Sequence, residues 1–257
     1  MLVVLSPAKK LDFESSVPAA VPHSKPAMLK YSSELIEVAR DLSHSQLGKL
    51  MKISDKLVEE NRQRYQNFST PFTRKNARPA ALAFVGDTYL GFDARSLAAD
   101  DYNYAQDHLR ILSGLYGLLR PFDLMQPYRL EMGIKLKTSE SKNLYEFWGD
   151  RITKALNKSL SATNSSFLLN CASNEYIKAV QPGSLKAELI TPVFKQVKNG
   201  EARMLGMMAK RARGAMARFV IDNKITRPAE LKTFDFDGYR YKAALSTPAS
   251  YEFHRKA

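Results

Sequence analysis

The sequence predicts an α/β fold of mixed character, a largely buried sheet of short strands surrounded by helices. Three observations carry that prediction. Four apolar runs, Met1–Ser6, Ala80–Val85, Leu109–Ser113 and Ser166–Cys171, have strand length, and small or polar residues follow each. Helical periodicity fills much of the chain between them, as in layered α/β proteins. With 257 residues at 44% hydrophobic, the chain can bury the core of one large domain or of two modest ones.

The first strand, Met1–Ser6, leads into Ser6-Pro7-Ala8-Lys9-Lys10. Ligands of open α/β sheets gather outside the carboxyl ends of strands. Lys9 therefore has two readings, a phosphate-binding or reactive lysine and a solvated lysine in a turn. Pro18, Pro22 and Pro26 make residues 14–27 an extended surface segment. A helix follows from about Met28 to Arg40, with Leu29, Leu35, Ile36 and Ala39 on one face. Ser43 and Gln46 form a capping-box pattern for a short helix carrying Leu47, Leu50 and Met51. Ser54 starts a third helix, to about Phe68, with Leu57, Val58, Asn61 and Tyr65 at helical spacing. Two short helices joined by a tight turn can aim the free N–H groups of the second at a phosphate, and Lys49, Lys52 and Lys56 around Ser54 add charge. The alternative is a plain helical pair with solvated lysines.

Pro71 and Pro79 bracket a linker-like span before the strand Ala80–Val85. That strand ends in Gly86-Asp87-Thr88-Tyr89, where Asp87 can serve as an acid, a base or a lysine partner, or simply cap a turn. Asp100 or Asp101 starts a helix through about His108. Leu109–Gly133 is the centre of the chain, apolar enough for a core yet carrying Arg110, Arg120 and Arg129. Buried guanidinium groups must meet carboxylates, phosphates or water in a cleft, so these arginines either form a site or pair with Asp123 and Glu131. Within the stretch, Leu109–Ser113 reads as a strand and Ser113–Gly117 as a loop. Leu118–Arg120 reads as a helical turn stopped by Pro121.

Leu144–Asp150 opens a helix running on through Ile152, Leu156 and Leu160, its aromatics read as core rather than as stacking platforms. The strand Ser166–Cys171 precedes Ala172-Ser173-Asn174-Glu175-Tyr176. If the strands are neighbours and largely parallel, Lys9, Asp87, Ser113, Asn170 and Glu175 converge on one edge and form a pocket. Residues 185–207 read as two strands around Asn199-Gly200. In the helix Leu205–Ile221, one face holds Met208, Ala212, Ala215, Met216 and Phe219, and the other holds Lys210, Arg211, Arg213 and Arg218. Gly214 and Ala217 lie amid the basic residues, so either this face is solvated or a backbone or a phosphate lies against the helix. Phe234 to the end reads as a hairpin plus tail.

The net charge of +13 favours a polyanionic partner or a small anionic substrate without choosing between them. A single cysteine, Cys171, excludes a disulfide framework and points to a reduced, cytoplasmic protein. No apolar run approaches the roughly 20 residues needed to cross a bilayer, and Met1–Ser6 lacks the pattern of a signal peptide. The chain has no Walker loop, no dinucleotide-binding glycine fingerprint and no Gly-x-Ser-x-Gly elbow. His23, His44, His108 and His254 are scattered, so no metal site and no cofactor are expected.

Ser6-Pro7-Ala8-Lys9, Gly86-Asp87 with Tyr89 and Gly91, and the block Leu109–Gly133 together resemble the YaaA-type peroxide stress resistance proteins. Tyr145–Asp150, Ala172–Tyr176, Pro192-Val193-Phe194 and Ala209–Phe219 extend the resemblance over nearly the whole chain. The resemblance implies a cytosolic bacterial protein that limits oxidative damage by lowering unincorporated iron. It also implies a single mixed α/β domain over residues 1–257, a positively charged cleft, and affinity for duplex DNA without sequence preference. A helix-hairpin-helix element would fall on residues 43–68, although the glycines usual in that hairpin are absent from Lys52-Ile53-Ser54.

The expected phosphate contacts are thus Lys9, Lys49, Lys52, Ser54, Lys56, Arg110, Arg120, Arg129, Lys210, Arg211, Arg213, Gly214 and Arg218. The leading expectation is a DNA-binding protein rather than an enzyme, with room for a small anionic ligand in the cleft. The alternative is an enzyme acting on a nucleotide or nucleobase-like anion around Lys9, Asp87 and Glu175.

Overall fold

The computed structural model describes residues 1–257. From the amino terminus the chain forms β1 (Leu2–Leu5), a two-residue β2 (Lys10–Leu11), and the helices α1 (Leu29–Arg40), α2 (His44–Met51) and α3 (Asp55–Asn67). The capping box of α2 is formed: the Ser43 hydroxyl accepts from the Gln46 amide at 3.3 Å, and Gln46 Oε1 accepts from the Ser43 amide at 2.8 Å. Next come β3 (Arg78–Pro79), α4 (Ala80–Ala83), β4 (Phe84–Val85), α5 (Asp87–Phe92) and α6 (Ala99–His108). The middle of the chain supplies β5 (Leu109–Ser113), β6 (Gly117–Leu119), β7 (Leu124–Met125), α7 (Leu144–Trp148) and α8 (Arg151–Ala162). The last third contains β8 (Phe167–Cys171), α9 (Asn174–Ile177), β9 (Glu188–Lys198), β10 (Glu201–Arg203), α10 (Gly206–Asp222), β11 (Arg240–Tyr241) and β12 (Ser250–Lys256).

All four residues of β1 are buried, which a strand achieves only inside a sheet covered on both faces. The eight-stranded sheet runs β11-β12-β9-β8-β1-β5-β6, with β10 paired to β9. β12, β9, β8, β1 and β5 are mutually parallel. In register, Leu5 lies opposite Ile111 on β5 and Cys171 on β8. β6, β10 and β11 are antiparallel additions. The strands and their helices bury one continuous hydrophobic cluster of 70 residues, so the chain is a single α/β domain.

Three local expectations are corrected. Ala80–Val85 is one helical turn followed by two strand residues, because three alanines favour helix and only Val85 is β-branched. Leu118–Arg120 is not helical: the chain doubles back at Gly117, with φ 66°, and β6 pairs antiparallel to β5 with Leu118 opposite Leu112. The helix expected through Leu144–Leu160 is two helices, α7 and α8, separated by Gly149. Pro121 ends a strand here as readily as it would have ended a helix.

α10 packs against α5 and against β1, β8 and β9. Its contact with α5 is backbone on backbone. A Cβ on Gly214 would sit 1.8 Å from the Thr88 carbonyl oxygen, and one on Gly91 would sit 2.0 Å from the Arg211 carbonyl oxygen. Gly214 is therefore occupied by α5 and is unavailable as a phosphate contact. Gly214→Ala is expected to lower the unfolding free energy by about 1–3 kcal/mol or more, because the clash is with main chain that has no rotamer to escape to. Urea denaturation of the purified variant measures this.

Candidate functional site

The carboxyl ends of β1 and β8 open onto a cavity of about 330 Å³. Its walls come from four places in the chain: Ser6 to Lys10 after β1, Val85 to Tyr89 at the start of α5, Tyr128 to Glu131, and Cys171 to Tyr176 after β8. Lys210 and Arg213 of α10 close the remaining side. Short polar ties hold the strand ends together. The Ser173 amide donates to Ser6 Oγ at 2.8 Å, and the Tyr89 hydroxyl donates to the Ser6 carbonyl oxygen at 3.0 Å. The Gly133 amide donates to Glu175 Oε1 at 2.9 Å, so Glu175 also pins the chain beyond Glu131.

Five cations and three carboxylates line this cavity, and they are not fully paired. Lys9 Nζ and Arg129 Nε both approach Glu131 Oε1 at 3.2 Å. The other oxygen, Glu131 Oε2, is buried with no partner, on a side chain only 14% exposed. Arg213 Nε is likewise buried without a partner, and no carboxylate pairs with the guanidinium. Burial pulls the Arg213 pKa down, as desolvation does to any unpaired cation. Tyr128, Tyr176 and Cys171 form apolar wall, and burial pushes all three pKa values up.

The model of the family described as peroxide stress protein YaaA matches residues 1–245. A UPF0246 protein of Alteromonas mediterranea is 55% identical over 247 residues, covering 96% of this chain and 95% of the relative. UPF0246 proteins of Saccharophagus degradans and Aliivibrio fischeri are each 52% identical over 256 residues, covering 100% of this chain and 98–100% of the relatives. The chain belongs to the peroxide stress protein YaaA family. Membership supports a role in the response to peroxide stress. No helix of this family member is long and apolar enough to cross a membrane.

The expected residues divide sharply in this family member. Lys9, Asp87, Arg129, Glu175, Lys210 and Arg213 all line the cavity. Ser113 and Asn170, expected on the same edge, are committed elsewhere. Ser113 Oγ lies 2.6 Å from the Tyr128 hydroxyl, and Asn170 Oδ1 accepts from the Ala172 amide at 3.0 Å. Arg110 is a structural cation whose Nε donates to Ser159 Oγ at 3.0 Å and whose NH1 donates to the Leu109 carbonyl oxygen at 2.7 Å. Burial brings its pKa down to about 10. Arg120 pairs with the buried Asp123 at 3.2 Å. Arg218 pairs with Asp222 at 2.6 Å and donates to Ser96 Oγ at 2.7 Å, clamping α10 to the end of α5. Arg110, Arg120 and Arg218 are corrected from phosphate contacts to internal partners. Arg211 is exposed and lies over the Phe236 ring at 6.0 Å. Lys49, Lys52, Ser54 and Lys56 are exposed on α2 and α3, away from the cavity.

Sequence reasoning named Ser6, Glu131 and Ser173 within its motifs but gave none of them a role in the site. The signal for Glu131 was its place between two arginines and a core run, which reads equally as a structural ion pair. Cys171 lies in the cavity wall with its pKa pushed up to about 12, so it is held as a neutral thiol. Cys171→Ala is expected to leave peroxide protection intact, and native Cys171 to resist alkylation by iodoacetamide at pH 8 until the chain is unfolded. Mass spectrometry of the native and urea-treated protein checks the second point.

Proposed function

We propose that the protein acts in peroxide defence as a duplex-DNA-binding protein without sequence preference, limiting iron-dependent damage to DNA and protein. The observation that carries this reading is the group Lys49, Lys52 and Lys56 at the junction of α2 and α3. All three are exposed and none enters an ion pair. Ser54, which starts α3, makes no side-chain cap, so the first-turn N–H groups of α3 remain free to meet a phosphate. The junction turns on Lys52 in the left-handed conformation, φ 52°, where the usual hairpin has glycine. The net charge of +13 supplies long-range attraction to the polyanion. Lys9, Lys10 and Lys210 at the cavity mouth extend the basic surface. In this reading the effect on iron is downstream of binding, and the chain is assigned no iron store.

Each phosphate neutralised contributes about −0.9 to the slope of log affinity against log salt. Lys52→Glu with Lys56→Glu should weaken duplex binding by about tenfold or more and flatten that slope by about 2, with the melting temperature unchanged. Asp55→Asn should act in the opposite direction, since it removes a carboxylate that competes with phosphate at the helix start. Fluorescence anisotropy with a labelled duplex at several salt concentrations measures both variants. Unchanged affinity in the folded double variant would exclude the α2–α3 junction as the DNA contact.

A further inference from the structure

The cavity carries a recognition problem that DNA binding at α2–α3 leaves unanswered. Four buried side-chain atoms in the chain lack a hydrogen-bond partner: Tyr104 Oη, Glu131 Oε2, Arg213 Nε and Arg255 Nε. Two of them, of opposite charge, belong to side chains that line the same cavity, and they do not satisfy one another. A buried donor or acceptor left unmade costs the full desolvation of that group, and an unpaired buried charge costs more. Such groups persist where a ligand completes them. The cation asks for an anion. The carboxylate oxygen repels anions and asks for an N–H or O–H donor. Lys210, beside Arg213 and in no ion pair, strengthens the first demand. Tyr128 adds an aromatic ring to the same wall. At about 330 Å³ the space exceeds inorganic phosphate and falls at the lower end of small-molecule sites, roughly 300–1,000 Å³.

The geometry points to a nucleoside monophosphate as the ligand of this cavity, its phosphate held by Arg213 and Lys210 and an N–H of its base read by Glu131 Oε2. Lys9 and Arg129 act through Glu131. Both cations contact Oε1, at 3.2 Å each, and leave Oε2 as the oxygen without a partner. The carboxylate is thus available to an N–H edge but closed to a second phosphate, which sets the direction in which the ligand enters. The same chemistry is offered by a free mononucleotide and by a nucleotide unit of a DNA strand.

Isothermal titration calorimetry of the full chain with each of the four common nucleoside 5′-monophosphates, and with their unphosphorylated nucleosides, tests this. At least one monophosphate is expected to bind well below millimolar, and more tightly than its nucleoside. Arg213→Met should erase that preference for the phosphate while leaving the melting temperature unchanged or raised, because it removes an unpaired buried cation. Glu131→Gln should weaken the monophosphate by about tenfold or more, the loss of a charge-assisted hydrogen bond. Competition identifies the source. Displacement by a single-stranded oligonucleotide assigns the site to a strand nucleotide, and no displacement assigns it to the free nucleotide. Lys52→Glu with Lys56→Glu should leave monophosphate binding unchanged, which separates this site from the proposed DNA contact. The assignment is overturned if no monophosphate binds at millimolar concentration, if both variants bind as the wild type does, or if Arg213→Met lowers the melting temperature.

Discussion

Parallel pairing of β1 with both β5 and β8 is the constraint on which the rest of the structure depends. Four residues, Leu2 to Leu5, hold two halves of the sheet that are more than fifty residues apart in sequence. Because all three strands run the same way, the segments that leave them emerge at one edge. Ser6 then meets Ser173 through a single hydroxyl, and Lys9 comes within 3.2 Å of Glu131. The cavity is a consequence of strand direction.

A second constraint is steric. α10 reaches the sheet only because it lies backbone against backbone on α5, at Gly91 and Gly214. That close approach brings Lys210 and Arg213 to the cavity from a helix whose other basic residues turn to solvent or to internal partners. The small residues set amid the charges of this helix are thus explained by a neighbouring main chain. α5 begins at Asp87, so one packing contact fixes both an acidic and a basic wall of the site.

Charge is distributed unevenly over the molecule, and the unevenness separates structure from site. Arg110, Arg120 and Arg218 each find oxygen atoms inside the protein, as the buried Arg110 must. Arg213 finds none, and Glu131 keeps one oxygen unanswered although two cations sit on the other. At α2–α3 the lysines are merely exposed, and there the attraction is a matter of field rather than of fit. The two basic regions differ in kind: one suits a polymer of phosphates, the other a single shaped anion.

The sequence by itself determined the strands, most helices, the α2 cap and the edge where Lys9, Asp87 and Glu175 meet, since these follow from hydrophobic period, capping chemistry and strand ends. It also carried the family, in motifs spread over nearly the whole chain. It misread Ala80–Val85 and Leu118–Arg120 because short apolar runs fit a helical turn and a strand equally until a partner strand is in place. It could not sort the arginines. Arg110 and Arg213 look alike in sequence, each among apolar or small neighbours. Only the tertiary structure decided that Ser159 and main-chain carbonyls answer Arg110 while Arg213 faces a cavity, because hydrogen-bond satisfaction depends on residues brought from distant parts of the chain.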